Sequence, residues 1–389
     1  MRISMRLVAL GATAAIAFAA CGGGASTAPT SAPTEAPATE APATEAPATE
    51  APVSWKACVA FDTGGLGDKG FNDLAKKGLE DAAAAGFDTA FAEAQGATDY
   101  ASNIQRLIDQ GCQSIVAVGF QQGQAVADAT LANPDIAFGH VDATWNPCGA
   151  DFTCGTADDP PPGVPANFTG LDFQIDEAAT LAGYLAAGFS QTGKIGTYGG
   201  AQFPGVTRFM DGMYAGIGYY NEQKGTSVEL LGWDGNATGT FVGGNNPWND
   251  PAKGEQLAQT FLDQGVDIVH PVSGATGNGT IKAMLAAGKW AIGVDTDQAI
   301  SLAEYSKAIL TSAEKVIDVA VLEMFKKNAA GDLGGEDFVG TLANAGVRLS
   351  PFHDLDASIS AELKAEIQAL NDAIASGSIK VCTYLARGC

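Results

Sequence analysis

The sequence predicts an α/β protein of two lobes, each a parallel sheet covered by helices, with a cleft between them. Three observations carry this. Short apolar runs of strand length alternate with amphipathic helical stretches from Trp55 onward, the pattern of parallel sheets clothed in helices. Residues 54–389 exceed the ~250–300 residues at which a single hydrophobic core stops growing. Polar and aromatic residues gather at the ends of the apolar runs: Asp62, Phe120, Asp142, Gly199 to Phe203, Gly274 to Gly279 and Asp295 to Gln298. Open α/β sheets hold ligands at that end of their strands.

Residues 1–20 read as a signal peptide. Arg2 and Arg6 precede the apolar run LVALGATAAIAFAA, and small residues stand directly before Cys21, the layout of a bacterial lipoprotein signal cleaved ahead of a lipidated cysteine. Phe18 fits loosely where such signals usually carry Leu, and an ordinary secretory signal is the alternative. The run falls short of the ~20 apolar residues that span a bilayer, and no later run reaches that length. Residues 21–53 hold a GGGASTAPTSAPT stretch and repeated EAPAT units, with no possible core. They read as an extended, partly polyproline tether that holds a folded part off a membrane surface.

In the folded part, ACVAF precedes a helix over 71–86, SIVAVG precedes GQAVADATLANP, and IAFGHVD and GLDF follow, so residues 54–172 supply the first part of an N-terminal lobe. The helix IDEAATLAGYLAAGF leads to KIGTYGG, SVELLGW, DIVHPVSG and AIGVD, each expected to run on into helix, in a C-terminal lobe over 173–297. Residues 298–389 return to complete both lobes and end in a C-terminal helix.

Of seven cysteines, Cys21 belongs to the signal, leaving an even number in an exported chain, which favours disulfides over metal ligands. Cys148 and Cys154 flank a short loop, as do Cys382 and Cys389, so local bridges are the simplest pairing. Cys58 and Cys112 are then left to each other, at the starts of two strands that would have to be neighbours. Three scattered histidines and no C-x-x-C argue against zinc, and no metal or cofactor is expected. A net charge of −23 excludes a basic nucleic-acid-binding surface and argues against polyanionic ligands.

The strongest local signal is ACVAFDTGGLGDKGFND, Ala57 to Asp73, where a buried strand meets a helix through a glycine-rich turn displaying Asp62, Asp68, Phe71 and Asn72. An aromatic, an amide and a carboxylate at such a turn suit a small molecule. The ordinary readings are a staple packing the helix start for Phe71 and an N-cap for Asn72. Gly65, Gly67 and Gly70 formally match the dinucleotide fingerprint, but Phe71 and Asn72 would then fall inside the first helical turn of an exported protein.

A two-lobed exported chain with a central cleft is the expected build of a periplasmic-type binding protein, and the motifs narrow this. DTGGLGDKGFND, the FGHVD run, GGAQFPGVTRFMDGMYAG, PWNDPAKGEQLA, SGATGNG, IGVDTDQ and TSAEK occur in an order that resembles the basic membrane protein family. That family comprises lipoproteins with the type I periplasmic binding fold that serve as substrate-binding components of ABC importers and often bind purine nucleosides. The resemblance runs from Trp55 to about Lys380 and implies no enzymatic activity. Carried over by motif, the ligand-contacting positions would be Asp62, Phe71, Asn72, Asp142, Trp248, Gly274, Asp295 and Lys315. Trp248 stands where purine-binding members generally have Phe, and the insertion from Asn146 to Asn167 also departs from the pattern.

The resemblance implies a division of labour. Phe71 and Trp248 would sandwich a base, at roughly 1 to 3 kcal/mol per stacked face by analogy with nucleic-acid binders. Asp62 and Asn72 would read its edge, the amide as both donor and acceptor. Asp295 would accept from ribose hydroxyls, Lys315 would donate to a sugar oxygen and offset the charge, Asp142 would serve sugar or base, and Gly274 would act through its backbone. The ordinary readings are a surface turn for Asp295 and Asp297 and a solvated helix residue for Lys315. The expected partners are a purine nucleoside, a membrane permease and, through the lipid on Cys21, the membrane itself, for a monomer on the extracytoplasmic face. The alternatives are a binding protein for a sugar or signalling molecule and a secreted nucleoside hydrolase using Asp62 and Asp68.

Overall fold

A computed structural model describes residues 55–145 and 163–389. The signal, the tether, Cys21, the Cys148–Cys154 pairing and most of the 146–167 insertion lie outside the described residues.

The first lobe begins β1 (Lys56–Phe61), α1 (Phe71–Ala84), β2 (Asp88–Glu93), α2 (Tyr100–Asp109), β3 (Ser114–Val118), α3 (Gly123–Ala132), β4 (Ala137–Val141) and β5 (Phe168–Phe173). The second holds α4 (Ile175–Phe189), β6 (Lys194–Gly199), α5 (Pro204–Lys224), β7 (Glu229–Leu231), α6 (Pro251–Asp263), β8 (Ile268–Val272), α7 (Ala275–Ala286), β9 (Trp290–Asp295), α8 (Gln298–Ser301) and β10 (Ile309–Lys315). The chain then runs through α9 (Ile317–Ala329), β11 (Phe338–Gly340), β12 (Val347–Leu349) and α10 (Ala361–Ala375).

Among the described residues these strands form two six-stranded sheets, ordered β11-β5-β4-β3-β1-β2 and β12-β10-β9-β8-β6-β7. Every neighbouring pair is parallel except β10 with β12, so the second sheet carries an antiparallel edge strand. The chain passes between the sheets after β5, after β10 and between β11 and β12. At these crossovers one core cluster gathers side chains of both lobes, among them Phe61, Val141 and Phe173 with Val272, Val294 and Ala313. The strand ends that meet there are therefore held on a shared apolar floor.

Two expectations are corrected. SVELLGW does not run on into a helix: β7 is short, and a loop over 232–250 intervenes before α6. Lys315 is no solvated helix residue, because it ends β10, a strand buried along its whole length. Disulfides join Cys58 to Cys112 and Cys382 to Cys389. The first ties β1 to the turn entering β3, and β1 pairs with β3 in parallel.

Candidate functional site

The turn after β1 is organised by carboxylates. Asp68 accepts from the backbone N–H of Gly70 at 2.9 Å, of Asn72 at 2.8 Å and of Asp73 at 3.2 Å, and so caps α1, whose first N–H groups have no partner within the helix. Asp73 takes the N–H groups of Gly67 at 2.7 Å and Lys69 at 3.1 Å. The donors a phosphate would need at this glycine-rich turn are thus already occupied, which disposes of the dinucleotide pattern in physical terms. Asp62, one residue past β1, accepts from Gly64 N–H at 2.8 Å and from Asn72 Nδ2 at 3.0 Å. Burial pushes Asp62 up to about 6, against the pull of the Asn72 amide and the Gly64 N–H, with Asp68 and Asp142 adding to the rise.

Asp142 follows β4 in the same lobe and, across the cleft, Asp295 ends β9, both with left-handed backbones, φ 63° and 66°. Only short polar side chains take that conformation at modest cost, and such strain concentrates at functional sites. Between them lies Lys315, almost fully buried, its Nζ 2.5 Å from Asp142 Oδ2 and 3.8 Å from Asp295 Oδ1. The ammonium also sits 5.3 Å from the centroid of Phe71 and 4.9 Å from that of Phe209, a cation–π arrangement on two rings. Burial drives Asp295 up to about 7 and also raises Asp142, and Lys315 opposes the rise at both.

Trp248 rides on the loop before α6, and the sequence explains its anchoring. Asp250 caps α6 through Lys253 N–H at 3.0 Å, and Pro251 takes the first helical position, where its missing N–H is no loss. Thr276 Oγ1 bridges the carbonyl of Pro247 at 2.9 Å and the N–H of Asp250 at 2.8 Å. The indole lies directly over Gly200, where any Cβ would collide with the ring. Gly274 heads α7 with φ 55°, a backbone suited to glycine, and a Cβ added there would meet the Trp248 carbonyl oxygen first.

One cavity between the lobes is lined by all eight positions singled out in the sequence: Asp62, Phe71, Asn72, Asp142, Trp248, Gly274, Asp295 and Lys315. Asp68, displayed at the Ala57–Asp73 turn, and Phe203, at the strand end Gly199 to Phe203, line it as well although the motifs did not carry them over, and Phe209 lines it where sequence reasoning did not place it. Phe209 stands three residues after Val206 and four after Gly205, on one face of the first turns of α5, a spacing that marks a shared face without saying whether it meets core or cleft. Asp297, by contrast, belongs to the framework: it caps α8 through Ala299 N–H at 3.2 Å and pairs with His353 Nε2 at 2.6 Å.

Flat aromatic surfaces, a carboxylate–amide edge and a lysine set between carboxylates, enclosed by two sheets that the chain links three times, define a solute-binding protein of the type I periplasmic class. The chain belongs to the Bmp family, described as ABC transporter substrate-binding protein PnrA-like, whose model matches residues 56–383. It is similar to basic membrane protein A of Borreliella burgdorferi, 29% identical over 322 residues covering 82% of this chain and 85% of that protein. It is also similar to the ABC transporter nucleoside-binding protein BmpA of Lactococcus lactis, 27% identical over 347 residues covering 84% and 88% respectively. Among solved structures, an ABC transporter solute-binding protein from Aeropyrum pernix superposes with a TM-score of 0.72 at 26% identity, covering 84% of this chain and 92% of that one.

Proposed function

We propose that the chain is the extracytoplasmic binding component of an ABC importer, tethered through lipid on Cys21, and that it holds a purine nucleoside between its lobes without turning it over. The observation that carries this reading is the coincidence, in one cavity, of Phe71 and Trp248 with Asp62 and Asn72 and with the Asp142–Lys315–Asp295 cluster. Two aromatic faces suit a base, the carboxylate and amide suit its edge, and Asp295 and Asp142 suit vicinal hydroxyls, with Lys315 offsetting their charge. The name of the Lactococcus relative supports the same ligand class.

Hydrolysis is disfavoured by the occupancy of Asp68. Its two oxygens take three backbone N–H groups and one amide hydrogen, so it is not free to hold a metal ion with Asp62. No helix among the described residues is long and apolar enough to cross a membrane. On this reading the loaded monomer hands its solute to a separate permease, as the family description of an ABC transporter substrate-binding protein implies.

A thermal-shift panel of nucleosides, free bases and sugars tests the reading. Purine nucleosides should raise the melting temperature and bases alone should do so less, since they leave the Asp142–Lys315–Asp295 cluster without a partner. Stabilisation by sugars and by no nucleoside would replace the ligand class while keeping the binding role.

A further inference from the structure

Asn72 is held in one orientation by its neighbours. Its Nδ2 donates to Asp62 Oδ1 at 3.0 Å and to Asp68 Oδ2 at 3.2 Å, so both amide hydrogens are spoken for. A flipped amide would set its carbonyl oxygen against two carboxylates, so charge alone decides the orientation. Asp68 cannot turn away, because the N–H groups of Gly70, Asn72 and Asp73 grip it. What remains is Asn72 Oδ1, buried and without a hydrogen-bond partner, on a residue that lines the cavity. On Asp62 the two donors both go to Oδ1, and Oδ2 takes no hydrogen bond among the described residues.

We infer that Asp68 is a positioning residue that locks Asn72, so that the base-reading wall of the cavity presents acceptors only and selects a ligand edge with adjacent N–H donors. The inference rests on the nucleoside reading and deepens it. A guanine ring fits this wall, with its N1–H beside a 2-amino group. Hypoxanthine supplies the N1–H alone. Adenine sets a ring lone pair at N1 next to its amino group, so one wall acceptor meets another acceptor. A buried acceptor left unpaired is the costly case, more so than a missing attraction between exposed groups.

Titration calorimetry with guanosine, inosine, adenosine and purine riboside reads the wall directly. Guanosine should bind roughly ten- to a hundred-fold more tightly than adenosine, with inosine between them and purine riboside weakest. Equal affinities for guanosine and adenosine would overturn this inference alone, whereas no affinity for any of the four would remove the nucleoside reading with it. In Asp68→Asn an amide replaces one of the two carboxylates that lock Asn72, and Asn72 is free to turn. The guanosine-to-adenosine ratio should then fall toward one. A purely structural Asp68 would lower the melting temperature and weaken both nucleosides by the same factor, so an unchanged ratio in folded variant protein counts against the inference. If Asp68→Asn does not fold, the four-ligand series on the parent protein decides.

Discussion

Asp295 shows how a proposed binding group works against the fold that carries it. Its carboxyl is buried, its backbone is left-handed, and its folded pKa is raised from 3.8 to about 7. A raised folded value means that the protonated form is favoured on folding, so the stability it contributes is full below 3.8 and is lost as pH rises through about 7. Asparagine tolerates the same backbone and carries no charge, and Lys315 keeps Asp142 at 2.5 Å as its partner. Asp295→Asn should therefore raise the melting temperature of ligand-free protein by a few degrees at pH 8, with the gain shrinking as pH falls below 7, while nucleoside affinity drops. Melting curves across that range check the sign; a variant less stable than the parent at pH 8 would mean that Asp295 is a structural anchor. Asp142 and Asp295 were legible in the sequence because each closes an apolar run. Asp68 was visible as an acid, but its role as a cap depends on how the turn folds back on itself. Phe209 lies inside a helix whose spacing does not say whether a face meets the core or the cleft.

At the scale of elements, the legible parts were those whose pattern is local. β1, β3 and β4 are apolar over most of their length and buried throughout except at Lys56, and α4 occupies the span its sequence suggests. β2 was missed because it is a half-exposed edge strand, DTAFAE, with little apolar contrast. β10 was missed because its buried charges mask it: Glu314 is neutralised by Arg348 on β12 at 2.6 Å and Lys315 by Asp142 on the other lobe, partners that no local window contains. The loop carrying Trp248 is held from α7 through Thr276, so its geometry too is set at long range. This loop yields a direct test of stacking. Trp248→Phe should cost little, whereas Trp248→Ala should weaken nucleoside binding by roughly ten- to a hundred-fold, the equivalent of about 1 to 3 kcal/mol. Gly200→Ala should also weaken binding, by driving a methyl group into the indole ring. Loss of melting temperature with affinity unchanged in Trp248→Ala would identify the indole as packing for the second lobe.

For the whole molecule, the relevant quantity is the free-energy difference between open and closed arrangements of the two lobes. Several contacts exist only because the lobes meet. Asn278 Nδ2 on α7 donates to the Asp68 carbonyl at 3.1 Å, and Ser301 Oγ at the end of α8 donates to the Lys69 carbonyl at 2.8 Å. Phe120 and Phe203 bring ring centroids to 5.0 Å from opposite lobes, and both line the cavity. Lys315 joins Asp142 from the other side of the cleft. Set against them is the burial of Asp62, Asp142 and Asp295 in one space, which raises all three and makes closure around three carboxylates with a single lysine costly. A ligand that donates hydrogen bonds to those carboxylates removes much of that cost, and it can drive closure only because it favours the closed form. Small-angle scattering should accordingly show a smaller radius of gyration at saturating nucleoside than without it. Removing the two rim hydrogen bonds together, in Asn278→Ala with Ser301→Ala, should weaken binding roughly three- to tenfold, mainly through faster dissociation, since these bonds form after the ligand has entered. Identical scattering with and without ligand, together with an unchanged dissociation rate in the double variant, would mean that the lobes meet independently of the ligand and that the rim contacts belong to the resting fold.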